Sequence, residues 1–168
     1  MGFGRKTMYR LIASAGVGLL VLLGLVAPVV AECNDAQVEL RGDWGQARFS
    51  VEIADEPAER AQGLMNREDL PASSGMLFIY ESSQHAIFWM KNTLIPLDLI
   101  FIGETGKVTR IHENAVPLDL TNIDGGTGVV AVLEINGGLS RALGISEGSE
   151  VRHPSFDQTT AVWSCAEP

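Results

Sequence analysis

HAIFWMKNTLIPLDLIF (residues 85–101) decides the fold. Its first half alternates: His85, Ile87, Trp89 and Lys91 on one face, Ala86, Phe88 and Met90 on the other. NTLIP interrupts it, and LDLIFI (97–102) resumes as a β-rich run. Two short strands around a Pro-containing turn imply a β-domain, and the flanking sequence repeats the pattern. GQARFSVEIA (45–54), GMLFIY (75–80) and KVTRIHENAV (107–116) read as strands, with GETG (103–106) as a hairpin turn. GVVAVLEIN (128–136) is apolar on both faces and is expected to be the most buried strand. The last strand enters through ISEGSEVR (145–152), where Gly148 allows a tight approach.

Two short helices complete the reading. DEPAERAQGLMN (55–66) has Asp55 as its expected N-cap, Pro57 in the first turn, and Ala58, Ala61 and Met65 as an inward stripe. GLSRALG (138–144) is the second. The expected fold is therefore a mainly β (α+β), mostly antiparallel barrel of about seven strands. A β-sandwich is the competing arrangement.

The ends of the chain speak to compartment. Arg5, Lys6 and Arg10 precede an uncharged apolar run ending at Ala31, the pattern of a signal peptide over residues 1–31. An uncleaved N-terminal membrane anchor is the alternative. Residues 32–168 are then one exported domain, periplasmic or secreted. Cys33 and Cys165 are expected to form a disulfide joining its ends. The chain's formal charge is −9, and the leader's three cations leave −12 on the rest. That surface repels nucleic acid and anionic lipid.

Candidate functional residues are few. Trp89 and Lys91, about 7 Å apart along a strand, can flank one spot as a stacking platform and an anion-seeking rim. His85 lies roughly 20 Å from Lys91 and cannot join it. Asp98 has only apolar strand neighbours, so it must be paired or hydrogen-bonded. If 85–91 and 97–102 form a hairpin, its partners are Asn92, Thr93 and amides of the 92–96 loop. Asp98 as a general acid or base is the rival reading. Arg60 is expected either to clamp an anion, to pair with Asp98, or to remain solvated. His85, His112 and His153 have no zinc spacing. A copper site from Met65, Met76 or Met90 with a histidine is the third possibility, against the simpler role of core filler. Ser73-Ser74-Gly75 lacks the flanks of a nucleophile elbow, and GGTG (125–128) is no phosphate loop.

ERAQGLM, GMLFIY, FWMKNTLIPLDLIFI and LEINGGLSRALGISEGSEV together resemble the conserved blocks of the uncharacterised prokaryotic family called domain of unknown function 192, over about residues 46–153. The resemblance implies a small, often exported β-rich domain and no established activity. GISEGSEV also resembles the helix-to-strand step of cradle-loop barrels, which concerns fold alone. The expected function is a non-catalytic, monomeric module without cofactor or metal. It would bind a small polar ligand or a partner protein through Arg60, Trp89, Lys91, Asn92 and Asp98, with no nucleic-acid partner, and would meet a membrane only if the leader is kept.

Overall fold

The computed structural model describes residues 1–2 and 33–167, so the leader expected at 1–31 falls outside the described residues except for its first two. Seven strands and two helices follow in chain order: β1 (Gln37–Gly42), β2 (Gly45–Ala54), α1 (Pro57–Gln62), β3 (Ser74–Phe88), β4 (Leu97–Gly103), β5 (Val108–Ala115), β6 (Ile123–Asn136), α2 (Leu139–Leu143) and β7 (Glu150–Arg152). They form one sheet in the order β5-β4-β6-β3-β2-β1-β7. Every pairing is antiparallel except β2 with β3, which α1 connects as a crossover.

The sheet curls until its two edge strands meet. Lys107 bridges Glu150, the Val108 N–H donates to the Ser149 carbonyl at 2.8 Å, and the Val151 N–H donates to Gly106 at 2.7 Å. Gly148 donates to the Val108 carbonyl at 2.8 Å, and its left-handed φ of 88°, rather than a close approach that a side chain would block, is what favours glycine there. Closure leaves few free strand edges.

Alternation then sorts the apolar residues into two cores. Val38, Leu40, Phe49, Val51, Leu77, Ile100, Ile102, Leu133, Ile135 and Val151 fill the interior, with every strand contributing. Phe78, Leu97, Leu99, Phe101 and Val132 face outward and are sealed by Leu64, Leu70 and Met90 from the connecting segments and by Ile123 at the start of β6. The outer wall formed by β3, β6 and β4 is therefore covered too, so β4 is buried at every residue.

Three expectations about the strands are corrected. GMLFIY and HAIFWMK are one strand, β3: Glu81–Gln84 stay extended, with register shifts against β6 where the strand bends. The 85–91 run does not form a hairpin with 97–102, because β6 lies between β3 and β4. The chain instead leaves the sheet after Phe88 and turns at Asn92, which is left-handed at φ 55°. Strand β1 was not anticipated, since Glu39 and Arg41 make QVELRG look like loop. Arg48 Nε and Arg152 Nε each lie 2.7 Å from the Glu39 carboxylate and compensate its burial.

In α1 the N-cap is Glu56 rather than Asp55: the Glu56 N–H donates to the Glu59 carboxylate at 3.2 Å, and Pro57 takes the first helical position. Ala58 and Ala61 are exposed, not inward, because Leu64 anchors this segment instead.

Cys33 and Cys165 form the expected disulfide, 132 residues apart in sequence. It ties down a C-terminal tail whose Trp163 is buried beneath the guanidinium groups of Arg41 and Arg152, 4.2 and 4.4 Å from the ring centroid. Cross-linking so long a loop contributes up to about 5 kcal/mol in the chain-entropy treatment. Replacing both cysteines with serine is expected to lower the melting temperature by about 10 °C, measured by calorimetry beside the oxidised wild type. No helix among the described residues is long and apolar enough to cross a membrane.

Candidate functional site

The outer wall is not covered completely. Between α1 and its trailing residues 63–65, β3, and the 87–93 segment lies a cleft of about 340 Å³. Arg60, Gln62, Met65, Tyr80, Trp89 and Thr93 bring its polar, aromatic and thioether groups, and Glu134 of β6 stands among them.

Strand register puts Glu134 there. It lies opposite Met76 of β3 and Leu99 of β4, and shares their outward face. Apolar neighbours on both sides leave its side chain 5 % exposed, and that exposure opens on the cleft. It takes part in no hydrogen bond with any described residue, so burial acts unopposed and pushes its carboxyl from the ordinary 4.5 up to about 8. At neutral pH Glu134 is thus a carboxylic acid, with one O–H to donate.

The walls differ in character. Arg60 is held by its own loop: its guanidinium donates to the Asp55 carbonyl and, at 3.0 Å, to the Ile79 carbonyl. It also lies 5.5 Å from the Tyr80 ring centroid. Nη2 and Nε make neither of those bonds. Burial pushes the Tyr80 phenol up, so it is neutral. Trp89 is 47 % exposed and forms the mouth, with the Lys91 ammonium 5.1 Å from its ring centroid. Asn92 is not part of the cleft lining, although its side-chain amide nitrogen lies 3.9 Å from the Met65 sulfur, which is. Its carbonyl accepts the Asn66 N–H at 2.8 Å, which ties the mouth loop to the segment after α1.

Asp98 lies elsewhere. Its parity is that of Ile100 and Ile102, toward the barrel interior, and it is completely buried at the end capped by α2. One oxygen accepts the Asn114 N–H at 2.6 Å and the Gly138 N–H at 2.7 Å. The other accepts the Ser140 N–H at 2.7 Å and the Ser140 hydroxyl at 2.6 Å. Gly138, at φ 79°, supplies the left-handed turn that aims these amides inward. The expected partners in the 92–96 loop are therefore replaced by β5 and the start of α2, and Arg60 does not pair with it. With four donors and no exposure, Asp98 is a strut without access to a substrate.

The geometry thus joins Arg60 and Trp89 in the cleft lining, leaves Lys91 outside that lining with its ammonium against the Trp89 ring, leaves Asn92 at its border beside Met65, and places Asp98 elsewhere. It adds Glu134 and Tyr80. Of the methionines, Met76 and Met90 are sealed in the outer core and Met65 lines the cleft, whose lining includes no histidine. His85 instead contacts Asp124 at 2.7 Å on the surface. Among the described residues no group of three or more His, Cys, Asp or Glu is placed to hold a metal ion.

The curled, mostly antiparallel sheet has counterparts among solved structures. Residues 38–153 match the family DUF192, described as "Uncharacterized ACR", and the chain belongs to it. A crystal structure of a protein of unknown function from Novosphingobium aromaticivorans is similar, with 45 % identity, a TM-score of 0.68, and coverage of 68 % of this chain and 82 % of that one. A second, from Sinorhizobium meliloti and proposed as a transcription regulator, shares 37 % identity with a TM-score of 0.70, over 75 % of this chain and 98 % of its own. No curated protein matches this chain.

Proposed function

We propose that this DUF192 protein is an exported binding module whose small polar ligand occupies the cleft at Arg60, Trp89 and Glu134. One observation carries the reading: Glu134, 5 % exposed and without a hydrogen-bond partner among the described residues, lines that cleft. A ligand's hydrogen bond would give that carboxyl a partner within the cleft. Trp89, half-exposed at the mouth, offers a flat apolar face for the rest of the ligand. The leader-like residues 1–31 and the Cys33–Cys165 disulfide support export to an oxidising compartment.

The test is a ligand-shift thermal screen of the mature protein, wild type beside Trp89→Ala. A compound that occupies the cleft raises the wild-type melting temperature, and its affinity falls about tenfold in the variant. Equal shifts in both proteins would place binding elsewhere.

A partner protein's loop is the second reading, and one observation favours it. Leu94, Val116, Leu118 and Leu120 are exposed beside Trp89 on two loops joined by the Leu118 N–H donating to the Thr93 carbonyl at 3.1 Å. The two readings diverge at Leu118 and Leu120, which lie outside the cleft lining: their replacement by lysine weakens a partner's docking and leaves a small ligand's affinity unchanged. The description of the Sinorhizobium relative would bring DNA into consideration. A formal charge of −9 opposes it, because phosphate contacts require a cationic surface.

A further inference from the structure

We infer that the cleft's ligand is a small organic carboxylate, hydrogen-bonded by the Glu134 O–H, charge-matched by Arg60, and laid with its apolar or ring portion against Trp89. The inference rests on the cleft being the binding site and goes further by naming the chemical class.

The donor and acceptor inventory supports it. With its proton on, Glu134 presents a donor at the floor. Arg60 brings a permanent positive charge whose Nη2 and Nε are not among its bonds to Asp55 and Ile79. Lys91, carried at the mouth on Trp89, is a second cation. With Glu134 neutral, Arg60 is the charged residue of the cleft lining, on a chain of net charge −9. A cationic ligand meets a like charge there, and an uncharged one leaves the guanidinium without a counter-charge. A carboxylate is planar, matches the guanidinium fork, and accepts an O–H from a neutral carboxyl. A volume of about 340 Å³ is at the small end of ligand sites and suits a single-ring molecule.

Binding should then follow the proton on Glu134. The titratable or charged groups around it are Arg60 from α1, Tyr80 from β3 and Lys91 at the mouth; its cross-strand neighbours Met76 and Leu99 do not titrate. Burial keeps Tyr80 neutral, so Glu134 is the cleft acid whose charge changes in this range. Once ionised, it would face a like charge on the ligand about one hydrogen-bond length away.

The experiment is calorimetric titration of the mature protein with acetate, benzoate and glucuronate, and with the uncharged benzamide and glucose, at pH 6 and pH 9. Circular dichroism at each pH verifies the fold. At least one carboxylate is expected to bind at pH 6 and to lose about tenfold in affinity at pH 9, since Glu134 releases its proton near 8. Glu134→Gln should weaken binding at pH 6 by about threefold and flatten the pH dependence to less than about threefold, because the amide keeps a donor without titrating. Binding of benzamide or glucose in place of the acids, lost in Trp89→Ala, would overturn the carboxylate class and leave the cleft as a site. Carboxylate binding unaltered by both Trp89→Ala and Glu134→Gln would overturn the class and the site together. Failure of all three acids to bind would overturn the class.

Discussion

Exchange of Asp98 for alanine is expected to lower the melting temperature by more than about 10 °C, the largest effect of any single substitution considered. Four donors lose their acceptor at once: the N–H groups of Asn114, Gly138 and Ser140, and the Ser140 hydroxyl. Hydrogen bonds to a charged group contribute about 1.5–3 kcal/mol each, and the orphaned amides remain largely shut off from water. Bonds in one network do not add fully, so a loss of about 4 kcal/mol is a conservative figure. For a domain of this size that is a large share of total stability and moves the midpoint by roughly 3–4 °C per kcal/mol. Asp98→Asn should also destabilise, because its amide nitrogen brings a donor to a pocket of donors. Urea denaturation of both variants beside the wild type measures this. Wild-type stability in the alanine variant would mean that α2 is held by other contacts.

The second large effect concerns pH. In the folded protein the Glu134 carboxyl titrates near 8, against 4.5 ordinarily, so between those values the native state holds a proton that the unfolded chain has released. Its contribution to stability is fully present below pH 4.5 and is lost as pH rises toward 8. At about 1.4 kcal/mol per unit the loss is on the order of 5 kcal/mol. His153 works in the opposite direction: burial depresses its titration below the usual 6.5, which favours the folded state as pH rises through that region. Comparison with Glu134→Gln isolates the carboxyl, because the variant retains His153. The wild type should be several kcal/mol less stable than Glu134→Gln at pH 8.5 and lose that deficit near pH 5. Parallel stability curves for the two proteins would show that Glu134 does not carry a shifted proton.

Much of the fold could be read from the sequence because burial follows strand parity. Alternation in 45–54 marked a half-exposed strand and the apolar run of 129–133 a largely buried central one, although β4 rather than this strand is buried at every residue. Pairing order was not readable in the same way. Nothing in residues 85–102 reveals that β6, some thirty residues later, inserts between β3 and β4, since adjacency in sheets is set by the whole chain's closure.

The site was legible to the same degree. Asp98 advertised itself as an acid among apolar residues, but its partners are backbone amides brought from β5 and α2 by non-local folding. Local spacing therefore pointed to the wrong loop. Glu134 carried the same signal in VVAVLEIN (129–136), an acid within a doubly buried strand, and that signal was sufficient to nominate it. The two acids lie on adjacent strands with opposite parity. One faces the barrel's capped end, where donors saturate it, and the other faces the outer cleft, where none do.

The most direct measurement is the carbon-13 chemical shift of the Glu134 side-chain carboxyl, followed from pH 5 to pH 10 and assigned by its absence from Glu134→Gln. A carboxyl sheltered by Met76 and Leu99 and unpartnered in the protein should show its titration midpoint near 8. A midpoint in the usual glutamate range would mean that water or an unseen donor already satisfies that group, and the binding cleft would lose the feature on which it rests.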